Sequence, residues 1–276
     1  LILNVEEDHL DFFKDIDDIR RSFRLFAEKP GKDGVLVINK DIDHVEYFTA
    51  DLPCKVITYS LDKPADLTAA NIAFDDHACG SFDLIIHGEN RGRFHLSVSG
   101  IHNISNALAA IAASLELNIS MDAIRKGLEA FKGTDRRFEY KGETGGVTVI
   151  DDYAHHPTEI EATLKAAANC PHRQVWCVFQ PHTYTRTKAF LKDFAKALSL
   201  ADHVVLADIY AAREADTGMI HSKDLLAELQ KRNVAADYFP SFKEIEDFLK
   251  THCQPGDILI TMGAGDIFTV GEDLLR

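Results

Sequence analysis

At 276 residues the chain can hold two ordinary domains, and its 46% hydrophobic and 27% charged content excludes disordered, collagenous and disulfide-scaffold readings. Its 44 acidic against 30 basic side chains leave a formal charge of −14, which repels a phosphate backbone and excludes nucleic acid as a partner. An anionic substrate must then be held by local cations, metal or backbone amides. No apolar run approaches the roughly 18 residues that span a bilayer. Five scattered cysteines without a C-x-x-C indicate neither a disulfide framework nor a zinc site, so the expected setting is a reducing cytoplasm away from membranes.

The chain opens without Met inside the apolar run Leu1-Ile2-Leu3, and it is expected to be a piece of something longer. Asn4 to Asp11 follows, with four carboxylates and His9; it could hold a divalent cation, and an acidic helix start would look the same. A helix is predicted near 15–28, then strands at GVLVINK and KVITYS. FDLIIHG and GRFHLSVSG read as an antiparallel hairpin around the polar turn Glu89-Asn90-Arg91. Gly100 to Asn106 leads into an Ala-rich helix over 104–117, with an amphipathic helix over 121–131. Asn103 and Asn106 lie three apart on one face. Their carboxamides could meet an adenine edge, or serve as a cap and a turn residue.

Lys132-Gly133-Thr134-Asp135 reads as a helix stop and a polar turn, which divides the chain into 1–134 and 135–276. Arg136-Arg137 at that boundary could neutralise a phosphate or be an ordinary exposed pair. From Gly146 on, VTVI, a helix near 158–169, VWCVFQ, a helix near 187–199 and HVVLADI alternate. Helices near 222–231 and 242–251, the run DILITM and a last helix after Gly265 follow. Such alternation predicts an α/β Rossmann-like domain with a parallel sheet, whose ligands sit at the carboxyl ends of the strands.

Two segments fall at that edge. Asp151-Asp152-Tyr153-Ala154-His155-His156-Pro157 offers carboxylates for ribose hydroxyls or a metal and imidazoles for proton transfer, though an Asp cap and surface histidines would share the pattern. Gln180 to Lys188 carries His182, Thr183 and Arg186. Arg186 can grip a carboxylate or phosphate with two parallel bonds, and a cation at a helix N-terminus usually needs an anion beside it. Met262-Gly263-Ala264-Gly265-Asp266 reads as a tight packing turn, and no G-x-x-x-x-G-K-[ST] phosphate loop occurs.

In order, NVEEDHLD, GIHNISNALAA, GTDRRFE, DDYAHHPTEI, FQPHTYTRT and MGAGDI resemble the Mur ligases across almost the whole chain. DDYAHHPTEI and QPH-x-Y-T-R favour the alanine-adding branch, while the ligase that recycles murein tripeptide shares the His-His-Pro motif. The resemblance implies the later part of a central ATPase domain (1–134), followed by a Rossmann-like amino-acid-binding domain (135–276). A UDP-sugar domain and the glycine-rich phosphate loop would precede Leu1, so this stretch alone is expected to be inactive. The implied activity is ATP-dependent joining of L-alanine to UDP-N-acetylmuramate through an acyl phosphate, in peptidoglycan synthesis and hence cell-wall growth, shape and division.

Carried over by motif, His9 would ligate Mg²⁺, with Mn²⁺ a natural substitute because imidazole suits softer metals. Asn103 and Asn106 would hold adenine, Arg137 the phosphates, and Asp152, or its neighbour Asp151, the ribose. Tyr153, His155, His182 and Arg186 would line the amino-acid side, with Arg137, His155, Arg186 and His9 in the catalytic set. Thr183 stands where many family members carry another Arg. Two rival classes are a metal-dependent hydrolase using Asp151, Asp152, His155 and His156 as ligands, and a non-catalytic nucleotide-binding module.

Overall fold

A computed structural model describes residues 1–8 and 12–276. The chain divides into two compact units: Leu1–Asp75 with Cys79–Lys132, and Gly133–Arg276 with the short turn Asp76–Ala78. Among the described residues all five cysteines are free, and no helix is long and apolar enough to cross a membrane.

The first unit contains helix α1 (Ile16–Ala27), strand β1 (Val35–Asn39), helix α2 (Val45–Thr49), and strands β2 (Lys55–Ser60), β3 (Leu67–Phe74), β4 (Cys79–Ile86) and β5 (Glu89–Ser99). Helices α3 (Ile101–Glu116) and α4 (Met121–Ala130) complete it. The strands form one sheet in chain order, parallel from β1 to β3 and antiparallel from β3 to β5. Period-two alternation sends Leu36 and Ile38 to one face with Ala27, Val45 and Phe48, and Val37, Ile57 and Tyr59 to the other with Ile104, Leu108 and Ile111 of α3. Burial leaves α3 little room: a Cβ at Gly80 would stand 2.8 Å from Ile104 Cδ1.

The hairpin turn differs from the sequence expectation. It is His87-Gly88, not Glu89-Asn90-Arg91, with both residues at positive φ (47° and 83°) and Ile86 opposite Glu89. A two-residue turn of this hand matches the twist of the strands, and glycine takes it without strain. Strand β3 and helix α2 escape sequence reading as well, the first too weakly apolar and the second too short for a clear period.

The second unit runs β6 (Glu139–Thr144), β7 (Val147–Asp152), α5 (Pro157–Ala168), β8 (Val175–Phe179), α6 (Tyr184–Ala189), α7 (Leu191–Leu198) and β9 (His203–Leu206). Helix α8 (Ser222–Lys231), β10 (Ala235–Tyr238), α9 (Phe242–His252), β11 (Ile258–Met262) and α10 (Phe268–Leu274) follow. The sheet order is β10-β9-β8-β11-β7-β6, parallel throughout except for β6. Strands β7, β8 and β11 are near-continuous apolar runs because helices cover both faces. Ile160 and Leu164 of α5, Phe194 of α7 and Leu225 of α8 pack on one side, and Ile245 of α9 and Val270 of α10 on the other.

This is the α/β domain that the alternation predicts. The single helix expected over 187–199 breaks at Phe190 (φ −105°, ψ 20°) into α6 and α7. Strands β6 and β10 are short, polar edge strands, which hydrophobic periodicity alone does not reveal. Because β11 lies between β7 and β8, the loops that follow these three strands share one edge of the sheet.

Candidate active site

The site begins with a turn rather than with a strand. Arg136 adopts a left-handed conformation (φ 57°), its amide donates to Glu139 Oε2 at 2.8 Å, and its carbonyl accepts from the Tyr153 amide at 2.7 Å. The side chain then reaches across the sheet edge. Nε donates to Asp151 Oδ2 at 2.9 Å, Nη2 to the Gly263 carbonyl at 2.7 Å and Nη1 to the Gly265 carbonyl at 3.1 Å. The guanidinium lies over the rings of Tyr153 (4.8 Å) and Phe268 (4.6 Å). Arg136 is therefore spent on internal contacts. Its neighbour Arg137 is half exposed, pairs loosely with Glu159 at 3.5 Å and lies 5.7 Å from the centre of the Tyr153 ring.

Asp151 and Asp152 follow each other in a strand and so face opposite ways. Asp151, 1% exposed, also accepts from Thr261 Oγ1 at 2.7 Å. Burial pushes its carboxyl up, and the bonds from Thr261 and Arg136 pull part of the way back. Asp152, 5% exposed, accepts from the Ala154 amide (2.8 Å), the Phe138 amide (2.9 Å) and Thr163 Oγ1 (3.0 Å); burial raises it too. Both carboxylates fasten loops. The ribose role expected of Asp152, or of its neighbour, would have to share oxygens already engaged in these bonds.

The metal-hydrolase alternative fails on the same geometry. Its four ligands are not gathered: the two aspartates diverge, and His156 caps α5 by accepting from the Thr158 amide while Glu159 answers to the His156 amide. Among the described residues no group of three or more His, Cys, Asp or Glu side chains could hold a metal. His9, the residue expected to ligate Mg²⁺, lies outside the described residues.

What does assemble is an imidazole pair beside an arginine. His155 Nδ1 is 3.0 Å from the Tyr153 carbonyl and 3.4 Å from Glu159 Oε2. A carbonyl only accepts, so Nδ1 carries the proton and Nε2 of the neutral ring keeps its lone pair. His182 is ordered the other way round. Arg186 Nη1 stands 3.3 Å from its Nδ1, and a guanidinium only donates, so the His182 proton sits on Nε2. The two imidazoles are 5.8 Å apart, Tyr153 meets His155 edge-on at 5.5 Å, and Tyr210 stacks on His182 at 5.6 Å. Burial, then His155 and Arg186, lower the pKa of His182 below 6.5.

The sheet edge is closed by backbone proximity. Gln180 Nε2 donates to Asp266 Oδ1 at 2.9 Å, and its Oε1 is packed so closely on Gly265 that a Cβ there would stand 2.2 Å away, and 2.9 Å from the Tyr210 ring. Gly265 is thus required by packing, as the glycine-rich turn suggested. In the first unit, Asn103 and Asn106 do meet on one helical face. Asn103 Nδ2 donates to the Ser99 carbonyl at 2.8 Å and Asn106 Nδ2 to Asn103 Oδ1 at 3.2 Å, so Asn103 works partly as a helix opener while the exposed Asn106 presents its Oδ1. Sequence reasoning missed Tyr210 and Glu214, whose partners Pro181, Thr183 and Thr185 lie far upstream in the chain. Only their place after a parallel strand could have drawn attention to them.

Two family models match: the Mur ligase middle domain over residues 1–114 and the Mur ligase glutamate ligase domain over residues 136–265. The chain belongs to the Mur ligases. It is 56% identical, over its whole length, to proteins named UDP-N-acetylmuramate--L-alanine ligase from Lachnospira eligens and Agathobacter rectalis. It spans about 60% of the length of those curated relatives. Among solved structures it resembles the UDP-N-acetylmuramate-alanine ligase of Thermotoga maritima (TM-score 0.79, 25% identity, covering 99% of this chain and 58% of that one). It also resembles a murein peptide ligase of Psychrobacter arcticus (TM-score 0.68, 26% identity, 99% and 56%).

Two outcomes follow for this Mur ligase site. Gly265→Ala has to push Gln180 or Tyr210 aside and should lose about 1–3 kcal/mol in chemical denaturation; unchanged stability would contradict the packing. For His182 the neutral ring is favoured in the fold, so its contribution is intact above 6.5 and fades as pH falls through the depressed value. Imidazole ¹⁵N spectra should show a midpoint below 6.5, and His182→Gln should lose less stability than the parent between neutral pH and pH 5. A midpoint at or above 6.5 would refute the assignment.

Proposed function

We propose that this chain is the ATP-binding and amino-acid-binding part of a ligase that joins L-alanine to UDP-N-acetylmuramate, a step of peptidoglycan synthesis. The observation that carries the reading is the Arg186–His182–His155 cluster at the strand ends, in a chain 56% identical to ligases of that name. On this reading residues 1–134 serve ATP and residues 135–276 bring the amino acid, in line with the two matched domains. A cytoplasmic setting follows, since that is where nucleotide-sugar and ATP are available.

The reaction runs in two steps. A muramate carboxylate oxygen attacks the γ-phosphorus of ATP, the bond to the bridging oxygen breaks, and ADP leaves with its electron pair. The amine of L-alanine then attacks the acyl carbon, and the C–O bond to phosphate breaks. An amine attacking a free carboxylate would have to expel oxide, so phosphorylation, which lets that oxygen leave as phosphate, precedes amide formation. Arg186, backed by His182, grips the alanine carboxylate, and His155 Nε2 is the base that accepts a proton from the attacking amine. Arg137, half exposed and only loosely paired, would neutralise the phosphates.

Asn103 and Asn106 take adenine, chiefly through Asn106. A MurF ligase from Thermotoga maritima has been solved with ADP, and its likeness to this chain is one of fold. A ribose hydroxyl would have to share oxygens that Phe138, Ala154 and Thr163 already use, so Asp152 fixes loops first and meets ribose second. Mg²⁺ is assigned to His9 by resemblance alone. No step above depends on it.

The test is phosphate release from ATP by a chimera of this chain with the part of the Lachnospira eligens relative that it does not match. Release should require both UDP-N-acetylmuramate and L-alanine, and Arg186→Ala should lower kcat/KM for alanine about 10²- to 10³-fold. Release indifferent to alanine, but stimulated by murein tripeptide, would replace this reading with the recycling ligase.

A further inference from the structure

Thr183 has a backbone that a β-branched residue avoids: φ 63°, ψ 146°. Such strain persists only where the surroundings enforce it. Here they do. The loop after β9 lies against it: the Tyr210 amide donates to the Pro181 carbonyl at 2.8 Å and the Tyr210 carbonyl accepts from the Thr183 amide at 2.9 Å. Thr183 in turn starts α6, with its hydroxyl accepting from the Arg186 amide at 3.4 Å and its carbonyl accepting from Thr187 Oγ1 at 2.6 Å.

Four residues past Tyr210 the same loop supplies a carboxylate. Glu214 Oε2 accepts from the Thr185 amide at 3.0 Å, and Oε1 accepts from the Thr185 hydroxyl. Burial alone would raise this carboxyl, but the bonds from Thr185, from the Tyr184 amide and from Thr183 hold it below the ordinary glutamate range. The first turn of α6 therefore has its donors answered by a side chain from a different loop. One residue further on, Arg186 points its guanidinium at Nδ1 of His182, whose ring is stacked on Tyr210.

We propose that Glu214 is a positioning residue for the amino-acid grip: it clamps the first turn of α6 and so fixes Arg186 against His182. This rests on the ligase reading above. The clamp touches neither the adenine nor the phosphate assignments, so its loss loosens recognition of the amino-acid carboxylate alone. Misplacing a gripping group by about 1 Å costs up to about 10²-fold.

The experiment measures KM for L-alanine, ATP and UDP-N-acetylmuramate in the chimera for Glu214→Gln and Glu214→Ala. The expected result is a KM for alanine raised about tenfold or more, with the other two within about twofold and the melting temperature of Glu214→Gln close to that of the parent. An unchanged KM for alanine, or all three rising together, overturns the proposal. If the parent chimera shows no alanine-dependent turnover, the ligase reading itself has failed. The clamp is then judged on the chain alone by amide hydrogen exchange: lost protection at Thr185 and Arg186 in Glu214→Gln supports it, and unchanged protection overturns it.

Discussion

One buried ion pair holds the working edge of the second sheet together. Asp151 is all but sealed from water at the end of β7, and a carboxylate there is tolerable only because Arg136 and Thr261 answer it. The same guanidinium takes the carbonyls of Gly263 and Gly265 and rests between the rings of Tyr153 and Phe268, so one side chain joins the domain-boundary turn to the ends of β7 and β11. Removing one partner of a buried pair typically costs about 3–5 kcal/mol, because the other charge is left without compensation. Tyr153, His155 and Arg137 all take their positions from this turn.

A second arrangement, built independently, orients the side proposed to take the amino acid. The loop after β9 forces Thr183 into an unfavourable backbone state and supplies Glu214 to α6, and Arg186 and His182 follow from that. The opposed tautomers of His155 and His182 set the pair to distinct duties. His182 is spent on accepting from Arg186, whereas His155 keeps a lone pair on Nε2 in its neutral form. With a net charge of −14, recognition of an anion has to come from such local arrangements, since the mean field opposes it.

Much of this was legible in the sequence, and the gaps have physical causes. The parallel sheet showed itself because doubly covered strands are uninterrupted apolar runs, as in VTVI, VWCVF and ILITM. The site segments showed themselves because polar residues directly after such strands have little structural reason to cluster. The roles within them were harder to read. In a string of letters Asp152 reads as a ribose acceptor and His156 as an imidazole for proton transfer or a metal. Neither the bonds by which Asp152 ties loops nor the cap that His156 makes is visible there, since alternation along a strand and capping at its end decide where a side chain points. Tyr210 and Glu214 look like loop residues because their partners are distant in sequence. The hairpin turn fell two residues from its expected place because left-handed geometry, not polarity, selects His87-Gly88.

In the function proposed for this chain, activation of a muramate carboxylate on oxygen, before the amine arrives, is the step on which the mechanism turns. It is tested most directly by following ¹⁸O from carboxyl-labelled UDP-N-acetylmuramate during turnover by the chimera. With an acyl phosphate on the path, each released phosphate carries one ¹⁸O taken from that carboxylate, in step with amide formed. Unlabelled phosphate accompanying amide formation would contradict an acyl phosphate and, with it, the roles of His155 and Arg186 in amide formation.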